Sequence, residues 1–286
     1  EGSGGPPRTF TVTDNAIVGN IFLAIGHCDS YGAVYTGNNI INNGAVNLSY
    51  CYCLSRTAVV QLKPPKSSEE LTFSNNHLSG NSGDISFLIL WQTDPGTYTF
   101  ENNTFSDTQT TYAFQTPRTN FNPPSVDVSN NWWGTTDASA LNALIYDWND
   151  DVNETLLDFE PFLTTPNTTA PPSPTANVAA QTGPTTIAFT WDANPETDIA
   201  GYKVHYDTDA AGYPYANSTD VGNVTSYTLS SLNTGTTYYT AVSAYDSDGN
   251  ESWVSNDASV TTLNTQPTAT ARAFMTSSTC SDGSRA

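Results

Sequence analysis

A short string that returns five times constrains this chain more than anything else in it. Each copy carries apolar residues five and three places before an Asn, and another two places after it. The copies centre on Asn15, Asn38, Asn76, Asn103 and Asn131, so successive spacings are 23, 38, 27 and 28 residues. A further Asn follows five places on in three copies, at Asn20, Asn43 and Asn81. Alternating apolar positions before the Asn read as a strand, and the Asn itself reads as a turn. Self-similarity at about 20 to 50 residues implies a solenoid, a propeller or an array.

Each repeat offers short strands joined by turns, with no regular helix, which fits one coil of a parallel β-helix. Inward apolar residues then stack from rung to rung at about 4.8 Å. The repeated Asn sits in an inward turn, where its amide bonds the backbone and the Asn of the next rung as a ladder. The longest step contains Lys63-Pro-Pro-Lys-Ser-Ser-Glu-Glu70, a Pro-rich loop bulging from one coil. The last copy leads into a capping unit. Thr136 or Asp137 is the expected helix N-cap, and Ala138, Leu141, Leu144, Ile145 and Trp148 recur at helical spacing. Asp147 to Asp151 ends that helix, and Leu156, Phe159, Pro161, Phe162 and Leu163 read as a strand folded over the end. A solenoid must cover its last apolar cross-section, so an atypical terminal unit is expected.

Residues 9–163 resemble the carboxy-terminal coils of right-handed parallel β-helix proteins, and the Asn130-Asn-Trp-Trp-Gly134 ending is the most specific part of the match. The opposite end differs. Residues 1–8 are polar and Gly/Pro-rich, and no amphipathic stretch there can plug the first rung. The expectation is that further coils precede this one or that another molecule covers the open edge.

Residues 164–175 form a Pro/Thr-rich linker, read as extended and semi-rigid. The periodicity then changes. Ile187–Trp191, Tyr202–Tyr206 and Tyr238–Tyr245 alternate, with turn residues between them at sandwich spacing. Residues 176–263 resemble a fibronectin type III domain. Trp191 falls on its second strand, Gly201–Tyr206 on its third, and Tyr238 at the position of a tyrosine corner. The adhesive Arg-Gly-Asp tripeptide of some members is absent; the corresponding loop reads Asp246-Ser-Asp-Gly-Asn250. Residues 264–286 form an aperiodic tail or linker. The predicted fold class is therefore all-β: a parallel β-helix with a short capping helix, followed by an immunoglobulin-like sandwich.

Charge limits the partners. With 28 acidic residues against 8 Lys plus Arg, the formal net charge is -20. Phosphate backbones need basic patches, so a nucleic acid partner is excluded, and anionic membrane surfaces are disfavoured. No stretch reaches the roughly 18 apolar residues of a membrane span. A disulfide from Cys28 to Cys51 or Cys53 suits an exported protein. Seven Asn-x-Ser/Thr sequons are candidate glycosylation sites: Asn47, Asn102, Asn153, Asn167, Asn217, Asn223 and Asn250. These features point to an extracellular or cell-surface location.

Chemistry is thinly represented. An elimination-type lyase needs a base and a cation, and the solenoid offers only Arg8, Arg56, Lys63, Lys66, Arg118, His27 and His77. Of these, His77 reads as a turn residue. A hydrolase needs clustered carboxylates on adjacent coils; Asp84, Asp94, Glu101, Asp107 and Asp127 are available, with no evident Asp–Asp pair. Calcium is the most credible ligand, because Asp246, Asp248 and Asn250 place oxygens at alternating positions, although the terminal bidentate Glu of a full loop is missing. No other cofactor is expected. The favoured expectation is a non-enzymatic structural or adhesive protein that self-associates head-to-tail into an extracellular fibre, or contacts glycans or cell-surface proteins. The alternative is part of a polysaccharide-degrading enzyme with an accessory fibronectin type III module.

Overall fold

The computed structural model describes residues 10–18, 25–27, 33–44, 57–62, 70–89, 97–107, 109–115 and 125–264. Cys28, Cys51, Cys53, Asn20 and Asn47 lie outside the described residues, as do Lys63, Lys66 and the tail. The described residues form a parallel β-solenoid followed by a β-sandwich.

The solenoid runs coil by coil. The first coil has β1 (Phe10–Thr13), β2 (Ala16–Val18) and β3 (Ile25–His27); the second has β4 (Ala33–Thr36), β5 (Asn39–Ile41) and β6 (Ala58–Leu62). The third has β7 (Glu70–Ser74), β8 (His77–Ser79) and β9 (Ser82–Ile89), and the fourth β10 (Thr97–Glu101), β11 (Thr104–Ser106) and β12 (Gln109–Gln115). The fifth shrinks to β13 (Val126–Asp127), helix α1 (Ala138–Leu144) and β14 (Ile145–Tyr146), and β15 (Leu157–Asp158) pairs beyond it. Corresponding strands hydrogen-bond in parallel, giving three sheets with orders β1-β4-β7-β10, β2-β5-β8-β11 and β3-β6-β9-β12-β14.

Register turns the sequence repeat into packing columns. Tyr35, Phe73 and Phe100 align on the first sheet, Ile17, Ile40, Leu78 and Phe105 on the second, and Val60, Phe87, Phe114 and Ile145 on the third. Aromatic rings from different faces meet on the axis. Phe73 and Phe87 pack edge-on at 4.6 Å, and Phe87 stacks on Phe114 at 5.0 Å. Trp133 closes the column by stacking on Phe105 at 4.6 Å.

The Asn turns divide two tasks between neighbouring residues. The residue before each repeated Asn is left-handed: Asp14, Gly37, Asn75, Asn102 and Asn130 all have φ between 53° and 65°. Asp, Asn and Gly tolerate that conformation best, which explains the Asp/Gly/Asn-Asn wording of the repeat. The second residue turns its side chain into the stack. Asn38 Oδ1 accepts from the backbone N–H of Asn15, Asn76 Oδ1 from that of Asn38, Asn103 Oδ1 from that of Asn76, and Asn131 Oδ1 from that of Asn103, at 2.8 to 3.0 Å. Their Nδ2 groups donate onward along the same column and to backbone carbonyls. A second column runs Asn43, Asn81, Asp107 on the same principle. It ends on a carboxylate, which accepts from Asn81 and has no donor to pass on.

The cap departs from its sequence reading in two ways. Asp137 is the N-cap, accepting from the N–H groups of Ser139 and Ala140, but the helix stops at Leu144. Ile145 pairs with Phe114 instead, because an inward residue there extends the third sheet, and Trp148 is left 45% exposed. Likewise Leu157, not Leu156, is buried, because β15 pairs in register with β13 and directs Leu157 beside Val126.

The sandwich has seven strands. These are β16 (Ala179–Thr182), β17 (Ile187–Thr190), β18 (Ile199–Asp207), β19 (Asn217–Gly222), β20 (Ser226–Leu229), β21 (Thr237–Asp246) and β22 (Ala258–Thr261). They form antiparallel sheets β16-β17-β20 and β19-β18-β21-β22 around Phe189, Trp191, Tyr202, Val204, Leu229 and Val242. Tyr238 is buried with its hydroxyl accepting from Asn233 N–H at 3.0 Å, which pins the turn before β21.

Candidate functional site

The outward side of β18 and the loops beside it build the best-furnished concavity. Inward alternation commits Tyr202 and Val204 to the core, so Lys203 and His205 face out. Lys203 and His205 are the sole Lys/Arg and the sole His between Arg118 and Arg272. Both converge on Glu251. Lys203 Nζ donates to Glu251 Oε2 at 2.5 Å, Ser243 Oγ donates to Oε1 at 2.6 Å, and His205 Nε2 lies 3.5 Å from Oε1. Burial pushes the Glu251 carboxyl up, but hydrogen bonds from His205, Lys203 and Ser243 outweigh it and hold the group at about 2. Around this charged floor stand aromatic walls. Tyr213 packs on Trp253 at 5.0 Å, and Tyr215 lies 5.9 Å from the His205 ring with its hydroxyl bonded to Asp257. The groove has a volume of about 360 Å³, and Tyr213 is 58% exposed at its rim.

The solenoid touches the same region. The register-aligned residues Asn39, His77 and Thr104 of the second sheet face the sandwich and linker. Asn39 Nδ2 donates to the backbone carbonyl of Glu251 at 3.2 Å, so one residue serves both the groove and the contact between units. Thr104 Oγ1 accepts from Asn167 N–H, and Asn167 and Thr169 bond Asn75. The Pro/Thr stretch thus lies against the solenoid, with Ala170, Pro171 and Pro172 buried. His77 is fully buried, and among the described residues neither ring nitrogen has a hydrogen-bond partner. Burial pushes its imidazole down to about 4, partly offset by the Glu196 carboxylate. The turn-residue reading of His77 missed this, because its burial depends on a domain more than a hundred residues downstream.

Asp246, Asp248 and Asn250 come together in a tight turn. Asp246 Oδ1 accepts from the N–H groups of Asp248 and Asn250, and Oδ2 from Asn250 Nδ2. Those carboxylate oxygens are engaged within the hairpin. Asn153, Asn217 and Asn223 are exposed; Asn102, Asn167 and Asn250 are half-buried, and Asn167 Nδ2 is engaged with Asn75, Asn102 and Thr169. Glu101 is exposed on the first sheet and Asp127 is exposed on β13, which pairs with β15 in a separate two-stranded sheet. The β13–β15 register adds a pair that linear spacing could not show: Asp127 stands opposite Asp158, also exposed. Among the described residues, no group of three or more His, Cys, Asp or Glu is placed to hold a metal ion, and no helix is long and apolar enough to cross a membrane.

Residues 170–260 match the family model for the fibronectin type III domain. The carboxy-terminal unit is a fibronectin type III-like sandwich. Solved relatives include the FN1–FN3 domains of chicken CNTN1, 24% identical, covering 33% of each chain with a TM-score of 0.31. The FN5 domain of Drosophila Lar is 23% identical and covers 32% of this chain and 98% of its own, with a TM-score of 0.28. A curated relative, Exoglucanase B of Cellulomonas fimi, is 37% identical over 105 residues, 36% of this chain. The chain spans 9% of that relative's length.

Proposed function

We propose that this chain is an accessory, glycan-contacting unit of an extracellular polysaccharide-degrading protein. The groove on the fibronectin type III-like unit carries the proposal. Aromatic faces at Tyr213, Trp253 and Tyr215 suit the apolar faces of sugar rings, and the Lys203–Glu251–His205 floor offers donors and acceptors to hydroxyls. The floor is internally neutralised and the chain is strongly acidic, so an uncharged glycan fits better than a polyuronate. The segment shared with an exoglucanase supports the same class of substrate. The solenoid then acts as a rigid base, docked through Asn39, His77 and Thr104, that fixes the direction of the groove.

Binding to soluble cello-, xylo- and manno-oligosaccharides, with polygalacturonate as the charged control, tests this by calorimetry. Tyr213→Ala and Trp253→Ala should each weaken binding at least tenfold. Absence of binding to every neutral glycan refutes the reading. If the chain itself hydrolyses a glycan and Asp127→Asn or Asp158→Asn abolishes turnover, the role passes from accessory to catalyst.

A structural role has one observation in its favour. Val12 and Ile17 of the first described coil are partly covered, whereas Tyr35 and Ile40 at the same positions one coil later are buried. Stacking of a second copy on that edge would complete it. Light scattering across a wide concentration range tests this reading: growing assemblies support it, and a monomer throughout refutes it.

A further inference from the structure

A second cavity of about 440 Å³ opens where the last coil, the cap helix, the linker and the sandwich meet. That volume lies in the ~300–1,000 Å³ range of small-molecule sites. Phe105, Trp132 and Trp133 supply an aromatic wall, Ser173 and Pro195 close it from the other side, and Asp107 is the one ionisable residue among those lining it. We propose that this junction cavity binds a small organic cation, of the size and class of a protonated amino sugar, with Asp107 as its counter-charge and the indole wall as its cation-attracting face.

Three observations support the assignment. First, Asp107 ends the second polar column, accepting from Asn81 N–H at 2.9 Å and from Asn81 Nδ2 at 3.0 Å. Its other oxygen also accepts from Asn81 Nδ2, at 3.2 Å, and Ser86 on β9 adds a further hydrogen bond. All of these partners are neutral, and among the described residues no Lys, Arg or His lines the cavity. Burial accordingly pushes the carboxyl up to about 6, against the lowering effect of those hydrogen bonds. The half-buried charge is partly desolvated and, among the described residues, has no cationic partner; a cation arriving beside it removes that penalty. Second, aromatic faces attract cations most strongly where water is excluded, and indole is the best of them. Third, Trp132 lines the cavity and is only half-buried, whereas Trp133 behind it is covered, so Trp132 is the indole that a ligand can reach. An anionic ligand would meet a carboxylate with no cation to balance it.

The site is separate from the groove and does not depend on the glycan reading. Calorimetry or ligand-observed NMR with the intact chain should use glucosamine, N-acetylglucosamine and glucose as probes. Glucosamine should bind at pH 7.5 and at least five-fold more weakly at pH 5, where Asp107 is protonated; the two neutral sugars should bind at least ten-fold more weakly than glucosamine. Asp107→Asn should remove both the preference and its pH dependence. Because Asp107 also ends the polar column, Ala140→Trp is the second variant. Ala140 is an exposed helix residue on the cavity rim, so the indole should block the site without disturbing the fold. Loss of glucosamine binding in Ala140→Trp, with an unchanged melting curve, supports the site. Equal affinity for the three probes, no binding of glucosamine, or full binding by both variants overturns it. Tyr213→Ala, which empties the groove, should leave glucosamine binding unchanged; if it abolishes that binding, the ligand sits in the groove and the cavity proposal falls.

Discussion

Replacing Asn76 by Ala should cost far more stability than replacing Asn15, although the two occupy equivalent places in the repeat. Asn76 is fully buried in the middle of the column. Its Oδ1 accepts from Asn38 N–H at 3.0 Å and from Asn38 Nδ2 at 2.9 Å. Its Nδ2 donates to Tyr35 O, Ser74 O and Asn103 Oδ1, each at 3.0 Å. Truncation leaves the Asn38 N–H without that acceptor in a dry interior, at about 1–3 kcal/mol, and removes several net-favourable hydrogen bonds at about 1 kcal/mol each. Some of the freed donors retain other partners, since Asn38 Nδ2 also reaches Val12 O and Thr36 O. The expected loss is therefore about 3–5 kcal/mol. Asn15 is exposed, and its amide donates locally to Thr13 O, so its truncation should cost less than about 1 kcal/mol. Differential scanning calorimetry can follow the solenoid transition apart from that of the sandwich. Equal losses for the two variants, within about 0.5 kcal/mol, would refute the claim that the column is a buried, additive support.

Trp133→Ala should destabilise the solenoid by about 3–5 kcal/mol in urea titrations, because it removes a buried ring stacked on Phe105, while Trp148→Ala at a 45% exposed site should change it by less than about 0.5 kcal/mol. Gly37 sits at φ +65° with the Asp14 carboxylate against the place of a Cβ; Gly37→Val should cost more than about 1 kcal/mol, and Gly37→Asn distinctly less, since Asn holds the same position in three other coils. His77 has a folded-state pKa near 4, below its ordinary 6.5, so the unfolded chain binds more protons between those values. Its contribution is complete above about pH 6.5 and falls as pH drops towards 4, by about 3 kcal/mol; thermal melts of the wild type and of His77→Phe should show that slope only in the wild type. Glu251 is held at about 2, so what it contributes is present above its ordinary 4.5 and lost as pH falls towards 2; Lys203→Met should shift that loss to higher pH.

Much of the architecture can be read from the residues. The strand-Asn-strand string contains both the inward positions and the turn, since the apolar residues at fixed offsets from each Asn become the packing columns. The sandwich announces itself through Trp191, the Gly201–Tyr206 strand and Tyr238. Element ends are less legible. Helical spacing continues through Ile145 and Trp148, but sheet pairing with Phe114 takes Ile145 out of the helix. The end of the second column is also hidden, because Asp107 breaks the five-residue offset and only the fold aligns it beneath Asn81.

Local periodicity and turn chemistry are enough to specify stacked coils, a terminal cap and an immunoglobulin-like unit, because each of these depends on residues close together in the chain. Where chemistry can happen depends instead on contacts between segments far apart in the chain. Lys203, His205 and Glu251 are ordinary in sequence and become a groove floor only through strand pairing. Asp127 meets Asp158 only through a parallel register. The His77 imidazole is pushed down and the Asp107 carboxyl pushed up because the fold buries them. Local pattern fixes which face a side chain takes, whereas desolvation and charge pairing depend on what the rest of the chain brings against that face.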